Sequence, residues 1–196
     1  MQIFSAAGKD ITFASIKGGE PPVDQGSLEA FKDDDVCNEF LANATVQDAL
    51  KQTAQLEDVD LSTFGAIFFA GGHGTMWDFP GSISPVVNTA IEQVYSAGGV
   101  VASVCHGPAC LVDAKVDGEY LIKGKQFTCF TDSEETAMSL EGVVPFMLES
   151  KLTELGGIFK GGEDWAAVAV VDGRLVTGQN PASATVAAEK VVELLN

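Results

Sequence analysis

Gly99-Val100-Val101-Ala102-Ser103-Val104 is a short run of small and apolar residues that stops abruptly at Cys105-His106-Gly107-Pro108. A run this apolar, with no alternation of polar positions, reads as a strand covered on both faces, which confines the chain to a sheet with helices on either side. The switch to a polar dyad and a helix-starting Gly-Pro predicts a sharp bend that lifts the Cys105 side chain above the strand end. Backbone N–H groups of the next turn would face the sulfur, a field in which a thiol ionises and the thiolate attacks carbon. A buried core cysteine is the competing reading, and His106 with Gly107-Pro108 weighs against it.

The rest of the chain repeats that alternation. Strands are predicted at Ile11–Ser15, Ala66–Ala70, Val100–Val104, Gln126–Phe130 and Arg174–Thr177, with helices at Thr45–Gln55, Ser84–Ala97, Val144–Leu155 and Ala182–Leu195. Trp165–Val171 and Arg174–Thr177 flank Asp172-Gly173, a hairpin signal. Lys17–Asp35 reads as a long polar surface loop. The fold class is α/β: a doubly wound, mostly parallel sheet with helices on both faces, formed by residues 1–196 as a single domain. Met1–Gly8 reads as the last two turns of a helix closed by glycine, so an N-terminal first strand is expected to be missing from the sheet.

Composition narrows the partners. With 28 acidic against 11 basic residues, the net charge of −17 opposes binding to nucleic acid and to anionic membranes. Cys37, Cys105, Cys110 and Cys129 have neither the density of a disulfide framework nor zinc-site spacing, so no metal is expected. No segment reads as a signal sequence or a membrane span, which makes a cytoplasmic location the expectation.

Two further segments should meet the bend at Cys105. Gly71-Gly72-His73-Gly74 follows a predicted strand, where paired glycines let backbone N–H groups approach a ligand closely. A plain tight turn is the alternative. Phe130-Thr131-Asp132-Ser133-Glu134-Glu135 follows another strand and lies on the same edge of the sheet as Cys105. Thr131 or Asp132 serves there as a helix N-cap, and Glu135, one turn further in, is the acid placed to face the site and hold the His106 ring.

These segments, together with Val176-Thr177-Gly178-Gln179-Asn180-Pro181-Ala182-Ser183-Ala184, resemble the ThiJ/PfpI superfamily from Phe4 to the C-terminus. Within it the chain is most similar to the heat-shock-protein-31-like group, which includes glutathione-independent glyoxalase III enzymes. The resemblance implies a flavodoxin-like fold of the class I glutamine amidotransferase type. It also implies a Cys105 nucleophile, His106 and Glu135 completing a triad, an oxyanion hole from the Gly72 and His106 amides, and His73 lining the substrate pocket. Members of the group carry a glutamate in the N-terminal segment that exchanges protons with substrate, and no residue of this chain maps to it; Glu20 belongs to a later loop.

The implied chemistry needs no cofactor: Cys105 adds to a small-molecule carbonyl such as methylglyoxal, and a proton shift followed by hydrolysis gives a 2-hydroxy acid, D-lactate. The resemblance also implies a homodimer. Two alternatives stand beside it: a stress chaperone, deglycase-like or redox-sensing protein with an oxidisable Cys105, and an amidotransferase-like hydrolase.

Overall fold

All five residues of Val100–Val104 are buried in a single strand, as their apolar run requires. The computed structural model describes residues 1–196, which fall into two compact units: Met1–Asp10 with Asp60–Asn196, and Ile11–Val59. The chain opens on α1 (Gln2–Ala6), closed by Gly8 at φ 68°.

In the unit Ile11–Val59, β1 (Ala14–Ser15) is followed by α2 (Gln25–Ala30), α3 (Asp35–Ala42), α4 (Ala44–Lys51) and β2 (Ala54–Gln55). The two strands pair in parallel. Asp24, Asp34 and Asn43 each cap the following helix by accepting a backbone N–H, from Ser27, Cys37 and Val46 respectively. Two expectations are corrected here. The polar stretch predicted as a loop contains α2, because Asp24 caps it, and the helix predicted through Gln55 stops at Lys51. Thr53 exchanges backbone hydrogen bonds with Gly19, which draws the chain out of the helix and into β2.

The larger unit carries β3 (Ala66–Phe69), α5 (Thr75–Asp78), α6 (Ser84–Ser96) and β4 (Val100–Val104), then β5 (Lys115–Val116), β6 (Glu119–Tyr120) and β7 (Gln126–Phe127). After these come α7 (Asp132–Ala137), α8 (Leu148–Glu154), β8 (Ile158–Phe159), β9 (Ala169–Asp172), β10 (Leu175–Gly178) and α9 (Ala184–Leu194). The main sheet has the order β3-β4-β10-β9, parallel across its first three strands, with β9 antiparallel at one edge. Side chains of β4 and β10 alternate between two covered faces. Val100, Ala102 and Val176 pack with Ala187 and Val191 of α9, flanked by Phe4 of α1 and by Phe68, while α6 packs on β3 and β4.

The strand predicted for Gln126–Phe130 forms a ladder only at its start, with β8. Beyond it the Thr128 N–H donates to the Thr177 hydroxyl and the Phe130 N–H to the Cys105 carbonyl, so the chain leaves the ladder and turns toward the bend. The helix predicted from Val144 begins at Leu148, because Pro145 disfavours helical backbone at the residue before it.

Candidate active site

Cys105 follows β4 at φ 62°, a left-handed conformation that costs a residue bearing a side chain about 1–2 kcal/mol. Its neighbours hold it there. The Cys105 N–H donates to the Gly178 carbonyl at the end of β10, and its own carbonyl accepts the Phe130 N–H, both at 2.9 Å. The chain then turns into a short 3-10 helix, Gly107–Leu111, in place of the predicted α-helix.

The segments singled out in the sequence converge on this bend. His106 is fully buried, with Nδ1 3.4 Å from the Cys105 sulfur and Nε2 2.6 Å from Oε2 of Glu135. The other carboxylate oxygen of Glu135 lies 2.9 Å from Nε2 of His73, whose side chain is one-third exposed. One carboxylate therefore serves two imidazoles. If each ring donates its Nε2–H to Glu135, both Nδ1 atoms are left as acceptors, and that of His106 faces the thiol. The two rings lie 4.0 Å apart between centroids, and Phe130 packs on His106 at 4.4 Å. Glu135 reaches the site because Thr131 caps α7 in a capping box with Glu134, which puts Glu135 on the inner face of the first turn.

The amides expected to receive negative charge also meet here. Backbone N–H groups of Gly72 and His106 both donate to the Cys105 sulfur. Thr75 fixes the turn between them, its hydroxyl donating to the carbonyls of Gly72 and His106.

The charge state differs from the sequence expectation. Burial pushes the Cys105 thiol up to about 12; the two amides pull against this shift, and the carboxylates of Glu134 and Glu135 add to it. A 3-10 helix of five residues supplies too small a dipole to offset the loss of solvent. The resting group is thus a thiol, and it needs a base. His106 supplies one: burial lowers its pKa and keeps the imidazole neutral, with the hydrogen bond to Glu135 opposing this and the neighbouring His73 ring acting in the same direction as burial. Alkylation of Cys105 by iodoacetamide, followed by peptide mass spectrometry, is expected to keep accelerating through pH 10. A plateau below pH 9 would mean an ionised resting thiol.

His73, His106 and Glu135 offer ligand atoms within 4.8 Å of one another, of types that zinc accepts. Those same atoms are already committed to the two imidazole–carboxylate hydrogen bonds, so a metal would bind only by breaking the connection that orients His106 toward the thiol.

The DJ-1/PfpI family profile matches residues 1–194. The chain belongs to the DJ-1/PfpI family. Among its relatives, glyoxalase 3 of Candida albicans is 38% identical over 161 residues, spanning 76% of this chain and 66% of that protein, just under two thirds of its length. The crystal structure of glyoxalase III from Candida albicans superposes with a TM-score of 0.85 at 31% identity, over 98% of this chain and 83% of that one. The X-ray structure of the 24 kDa Rapid Encystment Protein of Francisella tularensis gives a TM-score of 0.92 at 34% identity, covering 100% of this chain and 87% of its own. The fold is accordingly the flavodoxin-like, amidotransferase-type α/β architecture of the family.

Four residues around the site had no role assigned from sequence. Glu134 is fully buried beside Glu135, Gln179 and Asn180 are fully buried near it, and the Trp165 ring packs edge-on against Phe130 at 5.7 Å. The signal was two adjacent acids after one N-cap, since a surface helix has no need to bury both. The partners of Glu134 Oε1 are Trp165, Gln179 and Asn180, whose arrival at this point is set by the tertiary fold.

Proposed function

We propose that this chain converts 2-oxoaldehydes such as methylglyoxal to 2-hydroxy acids without glutathione or any other cofactor. One observation carries the reading: Cys105, His106 and Glu135 lie in a hydrogen-bonded line, with two backbone amides on the sulfur. The glyoxalase names of relatives and of a solved structural neighbour at 31–38% identity support it.

Nδ1 of His106 takes the thiol proton as the sulfur adds to the aldehyde carbon. The oxyanion forms against the Gly72 and His106 N–H groups and regains that proton, giving a hemithioacetal. His106, neutral again, removes the hydrogen from the former aldehyde carbon and returns a proton to the adjacent carbon through an enediol. The first carbon is oxidised by two electrons and the second reduced by two, so no external oxidant is required. Water then cleaves the thioester, releasing the 2-hydroxy acid and the Cys105 thiol. Glu135 holds the imidazole in the tautomer that this sequence needs and stabilises it when it is protonated.

The same site disfavours the redox-sensor alternative, because sulfenic and sulfinic acids form from thiolate and burial holds Cys105 as thiol. The deciding experiment incubates the purified chain with methylglyoxal, without glutathione, and assays D-lactate enzymatically. Accumulation of D-lactate is expected, and its absence from an intact, folded preparation overturns the proposal.

The pH dependence follows from His106. Its pKa is lowered by burial, so the basic form prevails above a value beneath the ordinary 6.5. We expect kcat/KM for methylglyoxal to hold from pH 8 down through the ordinary imidazole value of 6.5 and to fall only in more acid solution. A rate already halved at pH 6.5 would indicate an imidazole left in solvent.

A further inference from the structure

Trp165 is exposed over 47% of its surface and sits at φ 64°. Glycine would occupy that backbone at no steric cost, and Gly161 and Gly162 lie just upstream, yet this position carries a bulky side chain. The segment that bears it is exposed but is tied down from beneath by buried side chains. Oε1 of Glu134 accepts the Trp165 N–H at 2.7 Å, the Asn180 amide at 2.8 Å and the Gln179 amide at 3.2 Å, while Oε2 accepts the Thr131 N–H at 3.0 Å. Gln179 also donates to the Glu163 carbonyl, and Asn180 to the Ala166 carbonyl. A fully buried carboxylate is therefore satisfied by four N–H donors, with no cation among them, and three of the four belong to Trp165 or to side chains that bond its neighbours.

The ring held there stands edge-on to Phe130, which in turn packs on His106 and hydrogen-bonds the Cys105 carbonyl. Adjacent residues of α7 thus divide the work: Glu135 sets the imidazoles and Glu134 sets the aromatic border beyond them.

We propose that Trp165 is the specificity-determining wall of this site, fixed by Glu134 as a positioning residue, and that it selects uncharged 2-oxoaldehydes with a compact apolar group beside the ketone. The proposal rests on the 2-oxoaldehyde reading above. The groups in contact around Cys105 and His106 are imidazoles, the Glu135 carboxylate and aromatic rings, and Glu134 adds a second negative charge close by, so an anionic substituent would meet like charge.

The test uses Trp165→Gly, which removes the ring and relieves the backbone, alongside Trp165→Phe and Glu134→Gln. Phenylglyoxal and methylglyoxal are compared by kcat/KM. Cys105 alkylation by bulky N-phenylmaleimide and by small iodoacetamide is compared by mass spectrometry. Trp165→Gly should shift both ratios toward the bulky reagent by roughly tenfold, mainly through KM in the enzymatic case, while Trp165→Phe stays within about threefold of wild type. Glu134→Gln should move both ratios in the direction of Trp165→Gly and, in a Trp77→Phe background, shift the Trp165 emission to longer wavelength. Ratios for Trp165→Gly within twofold of wild type overturn the wall, and unchanged ratios and emission for Glu134→Gln overturn the positioning role. The alkylation arm needs no turnover, so a wild-type chain that forms no lactate removes the glyoxalase reading while the wall is still judged by access to the thiol.

Discussion

Cys105→Ala is expected to lower D-lactate formation from methylglyoxal by roughly 10³-fold or more, the scale of losing a covalent nucleophile. The fold should survive. Alanine keeps the Cβ and so inherits the same left-handed backbone at φ 62°, held by the hydrogen bonds to Gly178 and from Phe130 that involve only main-chain atoms. What disappears is the sulfur, with its amide donors and its contact to Nδ1 of His106. Thermal unfolding followed by circular dichroism should stay within about 1 kcal/mol of wild type, the cost of one small side-chain atom in a half-buried position. Residual turnover within tenfold of wild type, in a variant that melts normally, would show that the carbonyl is not attacked by this thiol.

Gly71→Ala should be the more damaging change to the molecule as a whole. A Cβ there would stand 2.5 Å from the Val104 carbonyl oxygen, 2.8 Å from Cβ of Cys105 and 3.2 Å from the His106 nitrogen. Two of these atoms belong to the backbone of the bend itself, so the strain has no flexible side chain to relax into. Overpacking of this kind costs about 3 kcal/mol, and in a chain of this size that lowers Tm by roughly 6–12 °C. Activity should fall as well, because forcing the segments apart pulls the Gly72 N–H away from the sulfur. Gly72 is constrained differently: a Cβ there would meet open space, but φ is 118°, a conformation that side chains rarely adopt. The paired glycines therefore answer two separate requirements, close approach at the first and backbone freedom at the second. A Gly71→Ala protein with unchanged Tm would mean that the bend can open without penalty.

Both predictions come from the part of the chain that is most legible in one dimension. The buried strand Val100–Val104, the bend at Cys105, the glycine turn before His73 and the capped helix carrying Glu135 all follow from short-range patterns, and the structure brings them to one point. Marginal elements were less legible. Residues 17–35 lack apolar periodicity yet contain α2, whose cap is one aspartate, and residues 52–55 continue a helical pattern until Thr53 pairs with Gly19. In both cases a hydrogen bond to another residue outweighs a propensity worth only a fraction of a kcal/mol.

By itself the sequence determined the α/β alternation, the strand that ends at Cys105, and the glycine and carboxylate segments that gather at that bend, because each depends on side-chain period, capping or glycine freedom within a few positions. Tertiary structure alone decided the protonation of Cys105, the sharing of Glu135 between His73 and His106, and the Glu134 network beneath Trp165. The physical reason is that desolvation and the pairing of buried polar groups depend on which segments arrive from 29 or more residues away, so an ionised thiol, reasonable from a local helix end, becomes a neutral one when distant segments displace water from around it.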